Sequence, residues 1–289
     1  MKYATNIKQI EIDALWSGRK HILWTLDPHV NILSGINGVG KSTILNKVFR
    51  SISTNGDLQN HLLKGVHITA EPEDATHVRF DVIRSLDSPM IEVRGERSEV
   101  RDYFQGQNFS LTSHFSPLTS NASALDFQLY HLQRKYLDYQ VNIGNRIISE
   151  LQQGHADAAQ QLSQPKARFQ DMVDDLFQDT GKKIVRTENE IRFSQIGETL
   201  MPYQLSSGEK QMLAILLTVL IEDGQPYVLF MDEPEVSLHI EWQKRLIDLI
   251  VELNPQVQII LTTHSPAVIM NGWLDKVTEV SEITITNNQ

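Results

Sequence analysis

A glycine-rich stretch between an apolar run and an amphipathic pattern constrains this chain more than any other feature. The apolar run, residues 30 to 33, predicts a strand, and the apolar residues after position 43 recur at the spacing of one helix face. The stretch between them fits G-x-x-x-x-G-K-[ST], with one extra glycine inside the loop. The predicted nucleotide-binding residues are Gly35, Asn37, Gly38, Gly40, Lys41, Ser42 and Thr43.

This loop has the chemistry of a polyphosphate site. Glycines let successive backbone N–H groups turn inward without a Cβ in the way, and a helix that begins near Lys41 adds free N–H groups and the positive end of its dipole. Lys41 is then expected beside the β- and γ-phosphate oxygens, and the Ser42 hydroxyl is expected to ligate Mg²⁺. A plain glycine turn between a strand and a helix is the alternative interpretation.

Length and composition bound the class of protein. The 289 residues, 40% of them hydrophobic, can bury a full core as one large domain or two lobes. The longest apolar run, residues 212 to 221, is about half of what a bilayer crossing requires. The first residues lack the apolar stretch of a secretion signal, and without cysteine neither disulfides nor thiolate metal sites can form. We therefore expect a cytoplasmic protein.

The formal net charge of -10 argues against general attraction to nucleic acid, although a local basic patch would be compatible with it. DNA binding therefore stays open at this stage.

The N-terminal region predicts an antiparallel ribbon. Residues 7 to 13 and 21 to 26 have strand patterns and lead into the phosphate-binding strand. Trp16 or Trp24 could stack on an adenine, although a tryptophan in a strand more often belongs to the core. Further strand-like runs lie between residues 66 and 93.

The middle of the chain changes character. Residues 122 to 177 are rich in Leu, Gln, Ala and charged residues at helical spacing, and they predict several helices interrupted near Gly144, Gly154 and Pro165. We interpret them as a distinct helical lobe. Residues 182 to 186 and 190 to 194 then predict a hairpin.

A polar segment, Leu205 to Gln211, precedes the apolar helix that begins at Met212. Ser206 or Ser207 could cap this helix, and Glu209 suits its first turn. Capping alone would explain the segment, but the strand and paired acids that come after this helix favour a functional interpretation.

The next strand, from Tyr227, is apolar without alternation, which is typical of the interior of a parallel sheet. It ends in two acids: Asp232 could hold Mg²⁺ through water, and Glu233 could orient and polarise an attacking water. Acids that merely cap the next helix are the alternative. Another buried strand ends in His264, whose neutral imidazole could bind a γ-phosphate and respond to its departure.

These four elements, in this order, resemble the ATP-binding cassette (ABC) ATPases. Three sequence motifs are similar to those of the RecF, SMC and OLD branch, often labelled AAA family ATPase in bacteria. They are Leu-Ser-Ser-Gly-Glu-Lys-Gln, Asp-Glu-Pro-Glu-Val-Ser-Leu-His and Thr-His-Ser-Pro. The likeness covers the start to about residue 50 and then residues 200 to 275.

The resemblance implies an α/β P-loop NTPase fold: an ABC-type ATPase head with a mixed sheet, an antiparallel β subdomain and a helical lobe. Residues 1–289 would form one such domain. Residues 1–120 and 181–289 would be its nucleotide-binding core, and about 121–180 its helical lobe.

The resemblance also implies that two heads close face to face around two nucleotides. The glycine loop of one subunit would bind ATP, and the other subunit would supply a signature segment, which consists of Ser206, Ser207, Gly208 and Glu209. Glu233 would be the catalytic carboxylate and His264 the switch. Ser42 and Asp232 would hold Mg²⁺, and residues 237 to 239 would cross to the partner site.

Three departures from the family pattern shape the functional hypothesis. The family glutamine loop has only Gln105 and Gln107 as weak counterparts, a long coiled coil is absent, and the chain stops soon after His264 without a nuclease domain. We therefore expect an ATPase that forms a homodimer or higher oligomer around ATP. It would control a separately encoded effector, such as a nuclease, in phage defence or DNA maintenance. The alternatives are a transporter's nucleotide-binding subunit and an ATP clamp that does not hydrolyse.

Overall fold

A computed structural model describes residues 1–15, 20–52, 56–58, 65–83 and 123–286. The strands in these ranges are β1 (Asn6–Leu15), β2 (Lys20–Thr25), β3 (Val30–Ser34), β4 (Val66–Glu71), β5 (Phe80–Ile83), β6 (Lys183–Ile184), β7 (Phe193–Gln195), β8 (Glu198–Leu200), β9 (Tyr227–Asp232), β10 (Val257–Thr262), β11 (Val277–Glu279) and β12 (Thr284–Thr286). The α-helices are α1 (Lys41–Ser51), α2 (Ala124–Gln152), α3 (Ala156–Leu176), α4 (Ser207–Ile221), α5 (Ile240–Leu253) and α6 (Pro266–Met270).

A parallel sheet of five strands lies at the centre, in the order β11-β3-β10-β9-β5. Every residue of β9 and β10 is buried. Alternate side chains of β9 enter two different cores: Leu229 and Met231 pack with the helices, whereas Val228 and Phe230 pack with α1 and the N-terminal strands. A strand covered on both faces needs no polar alternation, so the unbroken apolar runs are confirmed as the interior of a parallel sheet.

The predicted N-terminal ribbon is confirmed as part of an antiparallel sheet in the order β12-β2-β1-β4. Its inner face carries isoleucines such as Ile10 and Ile12. The buried Gln258 of β10 ties this sheet to the parallel one, because its side-chain amide accepts from the Ile7 N–H and donates to the Ile7 and Asp27 carbonyls. Both kinds of strand pairing implied by the resemblance are present, in separate sheets.

The helical region corrects the prediction of several interrupted helices. Residues 124 to 176 form two long helices, and the chain breaks only around Gly154, which has a φ of 81°. Gly144 lies inside α2 and Pro165 inside α3. Apolar faces such as those of Tyr136 and Phe169 pack these helices on each other and on α4, and this burial outweighs the local helix-breaking tendency of both residues.

The predicted hairpin is present and extends further than expected. β6 pairs antiparallel with β7, and β7 pairs antiparallel with β8, which comes after a turn at Ile196 and Gly197 that has positive φ at both residues. The sequence gives no signal for this two-residue turn because isoleucine rarely adopts such a backbone conformation.

The suggestion that Trp24 stacks on an adenine is wrong. Its side chain is 1% exposed and lies in the core beneath the antiparallel sheet, where a nucleotide base cannot reach it. The predictions for Trp16, Gln105 and Gln107 lie outside the described residues, as does the strand expected at residues 90 to 93.

No helix in the described ranges is both long enough and apolar enough to cross a membrane. The division into a nucleotide-binding core and a helical lobe stays a prediction.

Candidate active site

The predicted nucleotide-binding and catalytic residues follow three neighbouring strands of the parallel sheet. β10 lies between β3 and β9, with Thr262 level with Leu33 on one side and Asp232 on the other. The glycine loop continues from β3, the acids from β9 and His264 from β10. Because parallel strands end at the same edge, these segments meet there, where ligands bind such sheets.

The glycine loop closes around the start of α1. Gly38 and Gly40 have φ values of 79° and 102°, which L-residues with a side chain rarely adopt. Gly40 is the N-cap of α1, and neither a side-chain cap nor an acidic residue occupies the first turn. The N–H groups of that turn are therefore left for another acceptor, as an anion site requires. Asn37 and Thr43 are exposed and Ser42 is half-buried at this end.

Lys41, His264 and Glu233 form a continuous polar chain. Lys41 Nζ donates to the Gly35 carbonyl at 2.9 Å and lies 3.3 Å from His264 Nδ1. His264 Nε2 lies 3.1 Å from Glu233 Oε1. An ammonium can only donate, so Nδ1 accepts from Lys41 and the ring proton sits on Nε2, facing the carboxylate. The histidine therefore joins the predicted phosphate-binding lysine to the predicted catalytic acid.

Burial sets the electrostatics of Lys41, whose residue surface is only 3% exposed. This desolvation lowers the pKa of Lys41 below its ordinary value, while the negative charge of neighbouring carboxylates, Glu233 first among them, works in the opposite direction. The ammonium therefore lies in a site with little water, where its charge acts strongly on a neighbouring anion.

Thr262 fixes the two acids at the end of β9. Its hydroxyl donates to Asp232 Oδ1 at 2.6 Å, and it accepts the Glu233 N–H at 3.1 Å. Asp232 is buried, whereas the Glu233 side chain is 30% exposed. Glu233 also has a φ of 47°, a left-handed conformation that is uncommon for glutamate.

The donor set at this edge suits Mg²⁺. The Ser42 hydroxyl and the Asp232 carboxylate both offer oxygen, which Mg²⁺ prefers over nitrogen or sulfur. Asp232 Oδ1 already has one fixed partner in Thr262, so its orientation is set before any ligand arrives.

The signature residues form a separate cluster at the start of α4. The Ser206 side chain caps the helix, and Glu209 completes a capping box. Glu209, 2% exposed, also accepts from Thr180 at 3.0 Å and from Lys182 at 2.8 Å in the same chain. Glu209 thus supports the signature segment from within, while Ser206 and Ser207 are the exposed members.

Gly208 joins this cluster to the segment after the acids. A Cβ at Gly208 would lie 2.5 Å from the Ser237 carbonyl oxygen, which is far too close. Ser237 itself has a φ of 72°. At Gly208 the signature helix therefore approaches the backbone of the predicted crossing segment, residues 237 to 239, closely.

Sequence reasoning missed Glu235, Thr263 and Gln243 at this edge. Glu235 Oε1 accepts from the Thr263 hydroxyl at 2.5 Å and from the His264 N–H at 3.0 Å. Gln243 accepts from the Ser265 hydroxyl at 2.6 Å. A second acid two positions after Glu233 was the only signal, and the sequence does not say that its side chain turns inward.

One further cluster has possible metal ligands among the described residues. Single ligand atoms of Glu11, Asp13 and His21 lie within 4.8 Å of one another on the outer face of the antiparallel sheet. Glu11 contacts His21 at 3.0 Å and Asp13 contacts His67 at 3.2 Å. These pairings account for the cluster without a cation.

A protein-family model described as "AAA domain, putative AbiEii toxin, Type IV TA system" matches residues 92–271, more than half of the chain. The chain belongs to this AAA family. The predicted resemblance to AAA family ATPases is thereby confirmed, and the described architecture is that of an α/β P-loop NTPase.

Two proteins have sequences similar to that of this AAA protein. Septu protein PtuA of Bacillus thuringiensis is 26% identical over 93% of this chain and 74% of its own length. The "Retron Vc95 probable ATPase" of Vibrio cholerae serotype O1 biovar El Tor is 28% identical over 35% of this chain and 22% of its own length. The similarity thus spans most of PtuA but only a limited part of the retron protein.

Among solved structures, the SMC head bound to the C-winged helix domain of ScpA is similar to this chain. The TM-score is 0.48 at 16% identity, over 92% of this chain and 91% of that one.

Proposed function

We propose that this AAA protein is a Mg²⁺-dependent ATPase of which two copies enclose ATP, and that turnover controls a separately encoded effector such as a nuclease. The observation that carries the proposal is the polar chain Lys41–His264–Glu233 at the ends of three neighbouring strands. It links a phosphate-binding cation to a carboxylate that can hold a water, which is what hydrolysis of a phosphoanhydride needs.

Each residue at the edge has a distinct task. Lys41 and the free N–H groups of α1 bind the phosphates, and Glu233 orients the attacking water and accepts its proton. His264 lies between them, so that when Lys41 turns to a phosphate oxygen, Nδ1 loses its donor and the ring can respond. Mg²⁺, held by Ser42 and Asp232, would neutralise charge on the phosphate oxygens.

Dimer formation is supported by the signature segment. Ser206 and Ser207 are exposed at the N-terminal end of a helix, and the internal bonds of Glu209 hold them in place. The N–H and the hydroxyl of Ser206 both donate to Glu209 Oε2, so the exposed Ser207 and the start of the helix are the groups that suit the γ-phosphate of a nucleotide bound by another copy. ATP would then act as a ligand shared by two subunits, and hydrolysis would release them.

The biological role rests on relatives. The family description names a toxin of a toxin–antitoxin system, and the similarity to Septu protein PtuA extends over most of the chain. These resemblances support a role in phage defence, with DNA maintenance as the wider class. Co-purification from native cells tests it: we expect a stoichiometric partner, and a chain that is fully active with no partner would contradict the proposal.

The mechanism is tested with Glu233→Gln, which keeps the shape of the side chain but removes the base. In size-exclusion chromatography with ATP and Mg²⁺ we expect this variant to elute as a stable dimer, because ATP binds but is not cleaved. Glu241→Gln, an exposed position on α5, is the matched control and should behave as the unmodified protein. A Glu233→Gln monomer under these conditions would contradict the proposal. A wild-type protein that dimerises on ATP without releasing phosphate would favour the non-hydrolysing clamp.

A further inference from the structure

Glu235 has an unusual environment for a carboxylate. It is 8% exposed, and both bonds described for its side chain go to one oxygen, Oε1. Oε2 is buried and has no hydrogen-bond partner among the described residues. Burying a carboxylate with an unpaired oxygen is costly, so a position that needed only a packed side chain would not favour glutamate.

The two bonds of Glu235 go to consecutive residues at the end of the central strand. The Thr263 hydroxyl donates at 2.5 Å and the His264 N–H at 3.0 Å. Gln243 supports the same segment from the other side, because it accepts from the Ser265 hydroxyl and donates to the Leu238 carbonyl at 2.9 Å. Three consecutive residues around His264 are thus held by side chains that come from the β9–α5 connection and from α5.

His264 depends on this anchoring more than Glu233 does. The His264 side chain is 34% exposed, so packing alone does not fix its ring. Glu233 has its own anchor, since Thr262 receives its N–H through both the hydroxyl and the carbonyl, each at 3.1 Å. The two halves of the His264–Glu233 contact are therefore positioned by different residues.

We propose that Glu235 is a positioning residue for ATP hydrolysis that acts through His264. Its carboxylate holds the Thr263 hydroxyl and the His264 backbone N–H, and so keeps His264 where the imidazole bridges Lys41 and Glu233. The inference rests on the proposed function, because it assigns Glu235 to the same reaction.

A double-mutant cycle on purified full-length protein tests this. We expect Glu235→Ala to lower kcat about tenfold and to change KM for ATP less than about twofold, because the hydrogen bonds described for Glu235 go to Thr263 and His264 and none goes to the glycine loop. In a His264→Ala background, which keeps the backbone N–H, we expect Glu235→Ala to lower kcat by less than about twofold. A loss of similar size in both backgrounds would overturn the inference.

Two milder variants keep the test valid if Glu235→Ala does not fold. Glu235→Gln keeps an acceptor for Thr263 and the His264 N–H, and should retain kcat within about threefold. Thr263→Val keeps the side-chain shape but removes the hydroxyl, which donates to Glu235 and accepts the Ser265 N–H. Its effect on kcat should vanish in the His264→Ala background. If it lowers kcat equally in both backgrounds, the inference fails.

The outcomes also separate the inference from the proposed function. If His264→Ala leaves kcat unchanged, the role of His264 in the proposed function fails and the inference fails with it. If His264→Ala lowers kcat but neither Glu235→Ala nor Thr263→Val does, only the inference fails.

Discussion

Two charged residues, Lys41 and Glu209, are buried, and each needs polar neighbours to stabilise its charge. Lys41 is buried, and the proposed contact with phosphate requires its charge; its contacts with two loop carbonyls and His264 stabilise the ammonium there. Glu209 is a buried group of opposite charge, and its carboxylate is stabilised by Lys182 and by the capping box at the start of α4. In both cases neighbouring polar groups compensate for the water that the charged group has lost.

The first residue-scale prediction concerns Lys41. Lys41→Ala should remove a charge-assisted contact with the phosphates and weaken ATP binding at least about tenfold, and up to the loss of measurable binding, in isothermal titration. Lys47→Ala is the control on the same helix, because Lys47 is bound to the Ala14 carbonyl outside the loop. Unchanged affinity in Lys41→Ala would refute the assigned role.

The second residue-scale prediction concerns Glu209 and pH. Burial alone would raise the pKa of Glu209, but hydrogen bonds from Lys182, Ser206 and Thr180 outweigh it and the pKa is lowered. A lowered folded pKa means that the ionised carboxylate stabilises the fold above the usual glutamate value of about 4.3, and that this is lost as pH falls through the folded pKa.

Glu209→Gln should therefore cost about 1–3 kcal/mol in the free energy of unfolding by urea at pH 7. The difference from the unmodified protein should shrink steadily below about pH 4.3. A difference that stays constant across this range would show that the charge of Glu209 contributes nothing.

At the scale of elements, α4 and the segment after β9 approach each other backbone to backbone at Gly208 and Ser237. A Cβ at Gly208 would lie 2.5 Å from the Ser237 carbonyl oxygen and would clash with it. There is thus no room for a side chain between the two backbones at this point. Gly144, inside α2, has nothing within 4 Å of the place of a Cβ.

The two glycines give opposite predictions for the same substitution. Gly208→Ala should destabilise the protein by about 1–3 kcal/mol and reduce ATP turnover, because the Ser237 backbone must move. Gly144→Ala should stabilise it by about 0.5–1 kcal/mol, because alanine favours a helix over glycine. Thermal unfolding and phosphate release measure both effects, and equal changes in the two variants would contradict this account of the contact.

At the scale of the whole molecule, the proposed nucleotide-binding residues and the signature segment lie on different elements of the described chain. The proposed nucleotide-binding residues follow β3, β9 and β10, whereas Glu209 of the signature segment accepts from Thr180 and Lys182. A closed two-fold dimer can bring these complementary surfaces together twice.

Mixing two inactive variants tests this arrangement. Lys41→Ala removes the proposed phosphate-binding lysine, and Ser207→Arg places a bulky side chain in the signature segment. Each variant alone should therefore be inactive in ATP hydrolysis. A mixed dimer keeps one intact pocket facing one intact signature, and an equimolar mixture should regain roughly a quarter of the wild-type phosphate release if subunits pair at random. No recovery in a mixture that demonstrably exchanges subunits would argue against a pocket shared between copies.

The sequence by itself determined the elements whose signals are local. The glycine loop, the apolar runs of β9 and β10 and the cap of α4 each depend on residues close together in the chain, so their type and order were predictable. Tertiary structure decided the rest, because it depends on burial. Because of tertiary packing, α2 continues past Gly144 and α3 continues past Pro165, and Trp24 lies in the core. It also turned Glu235 inward to Thr263, a contact between residues 28 positions apart that no local pattern specifies.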